Sequence, residues 1–172
     1  EGIQSGLPAR RAQDTAARSY FARDARPEAD GMLALRRAAS DLAAQVCALD
    51  HASYWNPLCC AKFAVGSQIY LVGHASLVEG LAQTPGLILD ADAESVTVST
   101  GDGVLRLTGL ATSEGDAIDG AAHFAPGQSL DMFDSAQWDE ITAVKASLVK
   151  SEARWRTRLA TVEPLELPFV GH

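Results

Sequence analysis

Three groups of residues in this sequence could carry chemistry. The first is the four histidines, His51, His74, His123 and His172. They stand far apart, with no His or Cys at i+2, i+3 or i+4, so their spacing gives no metal site. The second is the thiols of Cys47, Cys59 and Cys60. Cys60 or Cys47 with His51 as base, and Asp50 beside it, would make a thiol-dependent hydrolase or transferase, provided that a thiol pKa is lowered. The plainer reading is buried free thiols and an aspartate in an ordinary turn after a helix. The third is the carboxylate run Asp90-Ala91-Asp92-Ala93-Glu94. It lies between two predicted strands, where solvation explains it and no acid-base pair stands out. Gly101-Asp102-Gly103 is followed by strand formers rather than a helix, so it is a hairpin turn and not a phosphate cradle.

The elements that must position these residues begin late. Residues 1–29 show no clear period and read as a linker leading into the domain. Met32, Leu35, Leu42, Val46 and Leu49 fall near helical spacing, which predicts a helix over 30–50 capped by Asp30. Asn56-Pro57 makes a loop of the following residues. Strands are then expected over 61–65, 69–75, 86–90, 96–99 and 104–108, with Gly73 as a bulge or corner and a hairpin at 101–103. One helix and several short strands with glycine corners imply an α+β fold closed as a small OB-like β-barrel. From Thr112 to about Asp134 the composition shifts to Ala, Gly, Asp, Ser and Pro, the mark of a linker or a surface-hugging loop. A second helix over 135–161 carries the stripe Ile141, Val144, Leu148, Trp155 and Leu159 beside Lys145, Lys150, Arg154, Arg156 and Arg158.

Composition excludes several classes. With 14 basic residues against 22 acidic ones the formal net charge is −8, which opposes binding to a phosphate backbone. No run of about 18 apolar residues is present and the first residues lack the order of a signal peptide. A cytoplasmic location is the expectation, with neither nucleic acid nor membrane as partner. Three cysteines, two of them adjacent, fit a reducing compartment better than a disulfide scaffold.

Several motifs in order resemble one family. Ser19-Tyr20-Phe21, Arg26-Pro27-Glu28-Ala29-Asp30-Gly31, Cys47-Ala48-Leu49-Asp50, and Tyr54-Trp55-Asn56-Pro57-Leu58 with Lys62 are similar to the C-terminal domain of methionyl-tRNA formyltransferase-like proteins. The hairpin from Val96 to Leu107 looks like the last one of that family's OB-like barrel, and the resemblance covers about residues 19–110. It implies a catalytic domain, with an Asn-His-Asp constellation and a folate site, preceding residue 1. The chain itself is then expected to hold neither catalytic residues nor a cofactor. The pI near 4.9 departs from the basic surface that a tRNA-holding barrel needs.

The tail from Glu152 to Ala160, followed by Glu163-Pro164-Leu165-Glu166-Leu167-Pro168-Phe169, resembles the linker entering a condensation or adenylation module of a nonribosomal peptide synthetase. Together the two resemblances imply a leading linker over 1–29, a formyltransferase C-terminal-like helix and barrel over 30–111, and a linker with an amphipathic helix over 112–172. The chain would dock a formyltransferase-like catalytic domain to a downstream module of a multidomain biosynthetic synthetase. Tyr54, Trp55, Asn56, Pro57, Lys62 and Trp155 are the expected interface and positioning residues.

Overall fold

The computed structural model describes residues 14–162 other than 21, 23, 53–55 and 57. Among them are helices α1 (Ala39–Leu49), α2 (Gly120–His123) and α3 (Ser135–Leu159), and strands β1 (Ala61–Val65), β2 (Gln68–Val72), β3 (His74–Val78), β4 (Ile88–Ala91), β5 (Ser95–Ser99), β6 (Val104–Thr108) and β7 (Ala111–Thr112). The fold is α+β. Two antiparallel sheets, ordered β1-β2-β7 and β3-β6-β5-β4, form a small barrel-like body.

The two sheets share their longest strands. β2 and β3 are one strand bent at Gly73, and β6 and β7 are another bent at Gly109. The register runs unbroken across the bend, from Tyr70 opposite Thr112 to Val78 opposite Val104. At the corner the Gly73 amide donates to the carbonyls of both Thr108 and Gly109, each at 3.1 Å. The expected corner at Gly73 is therefore where the chain passes from one sheet to the other.

The alternation of Val96 and Val98 on β5 and of Leu105 and Leu107 on β6 places these side chains in the core with Phe63, Ile88 and Leu110. Helix α1 covers them with Ala39, Leu42, Val46 and Leu49, the i, i+3, i+7, i+10 spacing of one helical face. Complete burial of Leu42 and Val46 contributes about 1.5–3 kcal/mol each.

Two expectations need correction. The first helix starts at Ala39, not at Asp30. Ala29, Asp30 and Gly31 have φ of 44°, 54° and 80°, all left-handed, so no helix can run through them. Met32 and Leu33 lie instead beside β1, where the Leu33 amide donates to the Lys62 carbonyl at 2.8 Å. Met32 and Leu35 are buried, which gave them the look of a helical face. The true cap is remote: Asp102, in the β5–β6 hairpin, accepts from the Ala39 amide at 2.8 Å. The same hairpin binds the preceding loop through the Gly101 amide and the Arg37 carbonyl at 3.0 Å, and a Cβ at Gly101 would run into the Arg36 carbonyl. The glycine is required by that approach.

The second correction concerns the Ala- and Gly-rich stretch after Thr112, which behaves as the surface-hugging loop and not as a spanning linker. Phe124 and Leu130 are buried with the barrel core. Phe124 packs on Tyr70 and Phe63, with ring centroids 4.8 and 5.6 Å away. Residues 127–131 then lie between β4 and β1. Gly127 and Leu130 donate to the carbonyls of Ile88 and Gly86, and Asp131 donates to that of Ala64, each at 2.8 Å. Both otherwise open sheet edges are covered there.

If this segment completes the barrel, Phe124→Ala should cost about 3–5 kcal/mol in urea denaturation. A chain ending at Ser113 should show no cooperative unfolding transition.

Candidate functional site

The most densely connected polar group is the turn Glu28–Gly31, where four elements converge. The Asp30 carboxylate receives Lys62 Nζ from β1 at 2.6 Å and Lys145 Nζ from α3 at 3.1 Å. The three side chains keep only 27%, 14% and 24% of their exposure, so these are partly desolvated ion pairs rather than surface ones. The Ala29 amide donates to Thr142 Oγ1 at 2.8 Å, and that hydroxyl donates in turn to the Trp138 carbonyl one helical turn back, also at 2.8 Å. From α1, Gln45 Nε2 donates to the Met32 carbonyl at 3.2 Å. Around these bonds Ala29, Met32 and Ala64 pack with Phe133, Trp138 and Ile141. The first half of α3 is thus fastened to the domain. Its start is fixed by a capping box, in which Asp134 accepts from the Gln137 amide and Gln137 accepts from the Asp134 amide.

The expected interface residues fall in different surroundings. Lys62 is committed to Asp30. Asn56 is buried and joins the end of α1 to the chain entering β1: its Nδ2 donates to the Leu49 carbonyl and its Oδ1 accepts from the Leu58 amide, both at 2.8 Å. Trp155, on the far half of α3, is 51% exposed. Tyr54, Trp55 and Pro57 lie outside the described residues. The sequence reading missed Thr142, placed Lys145 on the basic face of the second helix without its partner, and took Asp30 for a helix cap. The available signal was the pair Asp30-Gly31, since Asp and Gly are the residues that best tolerate left-handed backbone.

The thiols do not assemble as a nucleophile and base. Cys47 and Cys60 are exposed, contrary to the buried-thiol expectation, and only Cys59 is partly buried. Asp50 accepts from the Ala52 amide at 2.8 Å and faces His74 Nδ1 at 3.0 Å, so its partner is His74 rather than His51. No hydrogen bond joins a thiol to His51 among the described residues. Burial, followed by the nearby Asp30 carboxylate, pushes the Cys59 thiol up to about 11, the opposite of what a nucleophile needs. Gly31 sits against it: a Cβ there would lie 2.7 Å from both Cys59 Sγ and the Cys60 carbonyl, and its φ of 80° also demands glycine.

Asp92 is a turn organiser, as expected of the carboxylate run. It accepts from the amides of Glu94 and Ser95 and from the Ser95 hydroxyl, and pairs with Arg106 at 2.9 Å. The Glu94 amide is the largest cause holding its carboxyl below the usual range, with the Ser95 hydroxyl next. Among the described residues no group of three His, Cys, Asp or Glu could hold a metal, and no helix is long and apolar enough to cross a membrane. An open cleft of about 590 Å³ lies between α1 and the turn, lined by Pro27, Glu28, Arg37, Asp41, Gln45 and Trp138. Its lining includes Arg37 and Asp41, which pair with each other at 3.4 Å.

Two measurements bear on this centre. Asp30→Asn keeps a residue that accepts left-handed backbone but strands two lysines, and should cost about 1–3 kcal/mol in urea denaturation, between the values for exposed and fully buried pairs. For Cys59 the folded pKa lies above the unfolded reference of 9.0. The neutral thiol is therefore favoured by folding, and its contribution is complete below about pH 9 and lost as pH rises toward 11. Denaturation midpoints of the chain and of Cys59→Ala should converge over that window and stay apart below it.

A scan against protein families gives a match to the formyl transferase C-terminal domain over residues 28–128. The match begins at the strained turn, takes in α1, all seven strands and α2, and ends within the segment that closes the barrel, so α3 lies beyond it. It spans more than half of the sequence and the same sequential helix and strands as the resemblance read from the motifs. The chain belongs to the formyl transferase C-terminal domain family.

Proposed function

We propose that this chain is a non-catalytic docking domain of a formyltransferase-type region within a multidomain biosynthetic synthetase of the nonribosomal peptide or polyketide kind. A formyltransferase-like catalytic domain is its partner on the N-terminal side and a synthetase module on the C-terminal side. The carrying observation is the use made of the polar centre. Asp30, Lys62, Thr142 and Lys145 bind one another and the backbone, so they fasten the incoming chain, the barrel and α3 together.

Asn56 fits a positioning role in this reading. It ties the end of α1, through the Leu49 carbonyl, to the chain entering β1, through the Leu58 amide. Lys62 acts one step removed, by holding the turn from which the chain enters the barrel. The synthetase context rests on the tail's resemblance to a module linker, and the exposed Trp155 suits a helix that continues toward a further partner. No cofactor is required by this function, and a reducing cytoplasm suits the three free thiols.

Two assays test the reading. With a formyl-folate donor and an amine acceptor the chain should give no turnover above background, and turnover would overturn the docking assignment. In a gel shift at about 0.15 M salt it should leave tRNA unshifted, because a formal charge of −8 repels the phosphate backbone at a Debye length of about 8 Å.

A further inference from the structure

Helix α3 runs on past the domain that holds it. Its inner face reaches Val149, which is buried, and Arg26 still meets Glu152 at 3.7 Å. From 153 to 159 every residue is exposed, although Trp155 and Leu159 are among them, at 51% and 65%. These seven positions carry Arg154, Arg156 and Arg158 and no carboxylate, in a chain whose formal net charge is −8. With Val144 and Leu148, both exposed, Trp155 and Leu159 form a stripe spaced 4, 7 and 4 residues apart. At 3.6 residues per turn this stripe keeps within an arc of about 60°. It borders Ile141, so it continues the face that already packs on Ala29, Met32 and Ala64. The same geometry sets Arg154 and Arg158 on one flank of Trp155 and Arg156 on the other, and the Arg158 guanidinium lies 5.4 Å from the indole centroid.

We propose that the projecting end of α3 is the insert for an apolar groove with an acidic rim on a partner protein, with Trp155 as its anchor. The proposal rests on the docking reading above and names the chemistry of the C-terminal-side partner. Charge selects this occupant. A second copy meeting the first across a two-fold axis would set the same patch against itself, arginine facing arginine around each tryptophan. A flat anionic membrane attracts the surface arginines weakly and repels the acidic remainder of the chain. A groove embraces the helix, buries the stripe and gives Arg154 and Arg158 carboxylates to meet.

Calcium-loaded calmodulin is a defined apolar groove of this class and serves as the probe, titrated calorimetrically into the full chain. Binding with a Kd of about 1 μM is expected. It should weaken at least about tenfold in Trp155→Ala and in the double variant Arg154→Glu, Arg158→Glu, while both variants melt within about 2 °C of the parent because those side chains are exposed. Absence of binding, or equal binding by the variants, overturns the proposal. Two controls assign the other occupants, and either result also overturns it: a dimer seen by sedimentation that Trp155→Ala dissolves, or binding to mixed phosphatidylcholine and phosphatidylglycerol vesicles in place of calmodulin. Failure here leaves the non-catalytic reading intact, since formyl turnover and tRNA shift test that independently.

Discussion

Much of the structure depends on one carboxylate held in an unfavourable stretch of backbone. Left-handed geometry at Ala29 and Asp30 costs on the order of 1–2 kcal/mol per residue, and within the turn the one backbone bond is Met32 N–H to the Ala29 carbonyl at 3.1 Å. Compensation comes from elsewhere: Lys62 from β1, Lys145 and Thr142 from α3, and Gln45 from α1. Because these contacts come from three different elements, the turn can hold its shape only after those elements have assembled. It therefore acts as a check on the tertiary arrangement, and a change at any of the four contacts is transmitted to the other three.

Barrel closure follows a similar logic of remote support. The bend that folds one sheet toward the other occurs at two glycines opposed across the ladder, Gly73 and Gly109, where a Cβ at Gly109 would sit only 3.1 Å from the Gly73 Cα. Bending leaves β1 and β4 as edges, and residues 127–131 satisfy their backbone groups from an irregular segment with no strand pattern of its own. Phe124 anchors that segment through its edge-on contact with Tyr70 and its tilted contact with Phe63. The hairpin at 101–103 contributes at the other end, where Asp102 supplies the cap that the sequence of α1 lacks.

What was legible in the sequence follows from the range of the interactions. Strands β1, β5 and β6 and the hairpin at Gly101–Gly103 depend on alternation and turn chemistry within a few residues, and their boundaries match the reading closely. The Gly73 corner was visible for the same reason. The start of α1 was not, because Met32 and Leu35 repeat the helical spacing while being buried by β1 and the closing segment, and because the cap comes from a residue 63 positions away. The closing segment was hidden by its composition: two buried residues, Phe124 and Leu130, carry its packing among alanines and glycines. Lys62 and Asn56 were read as interface and positioning residues, and their hydrogen-bond partners in the structure, Asp30 and Leu49, were not indicated by spacing.

The position of the turn gives the fold its directional character. The chain that arrives through residues 25–28 and the helix that departs after Asp134 are fastened to the same two residues, Ala29 by its amide to Thr142 and Asp30 by its carboxylate to Lys145. Neither segment can shift against the barrel without loosening the other, because Thr142 cannot leave without unsatisfying a partly buried amide and Lys145 cannot leave without removing half of the compensation at Asp30. The buried apolar contact that backs this fastening is small, consisting of Ala29, Met32 and Ala64 with three partly buried side chains. Polar geometry thus decides where the first half of α3 lies, and this fastening ends where the inner face does, leaving residues 153–159 of the helix exposed.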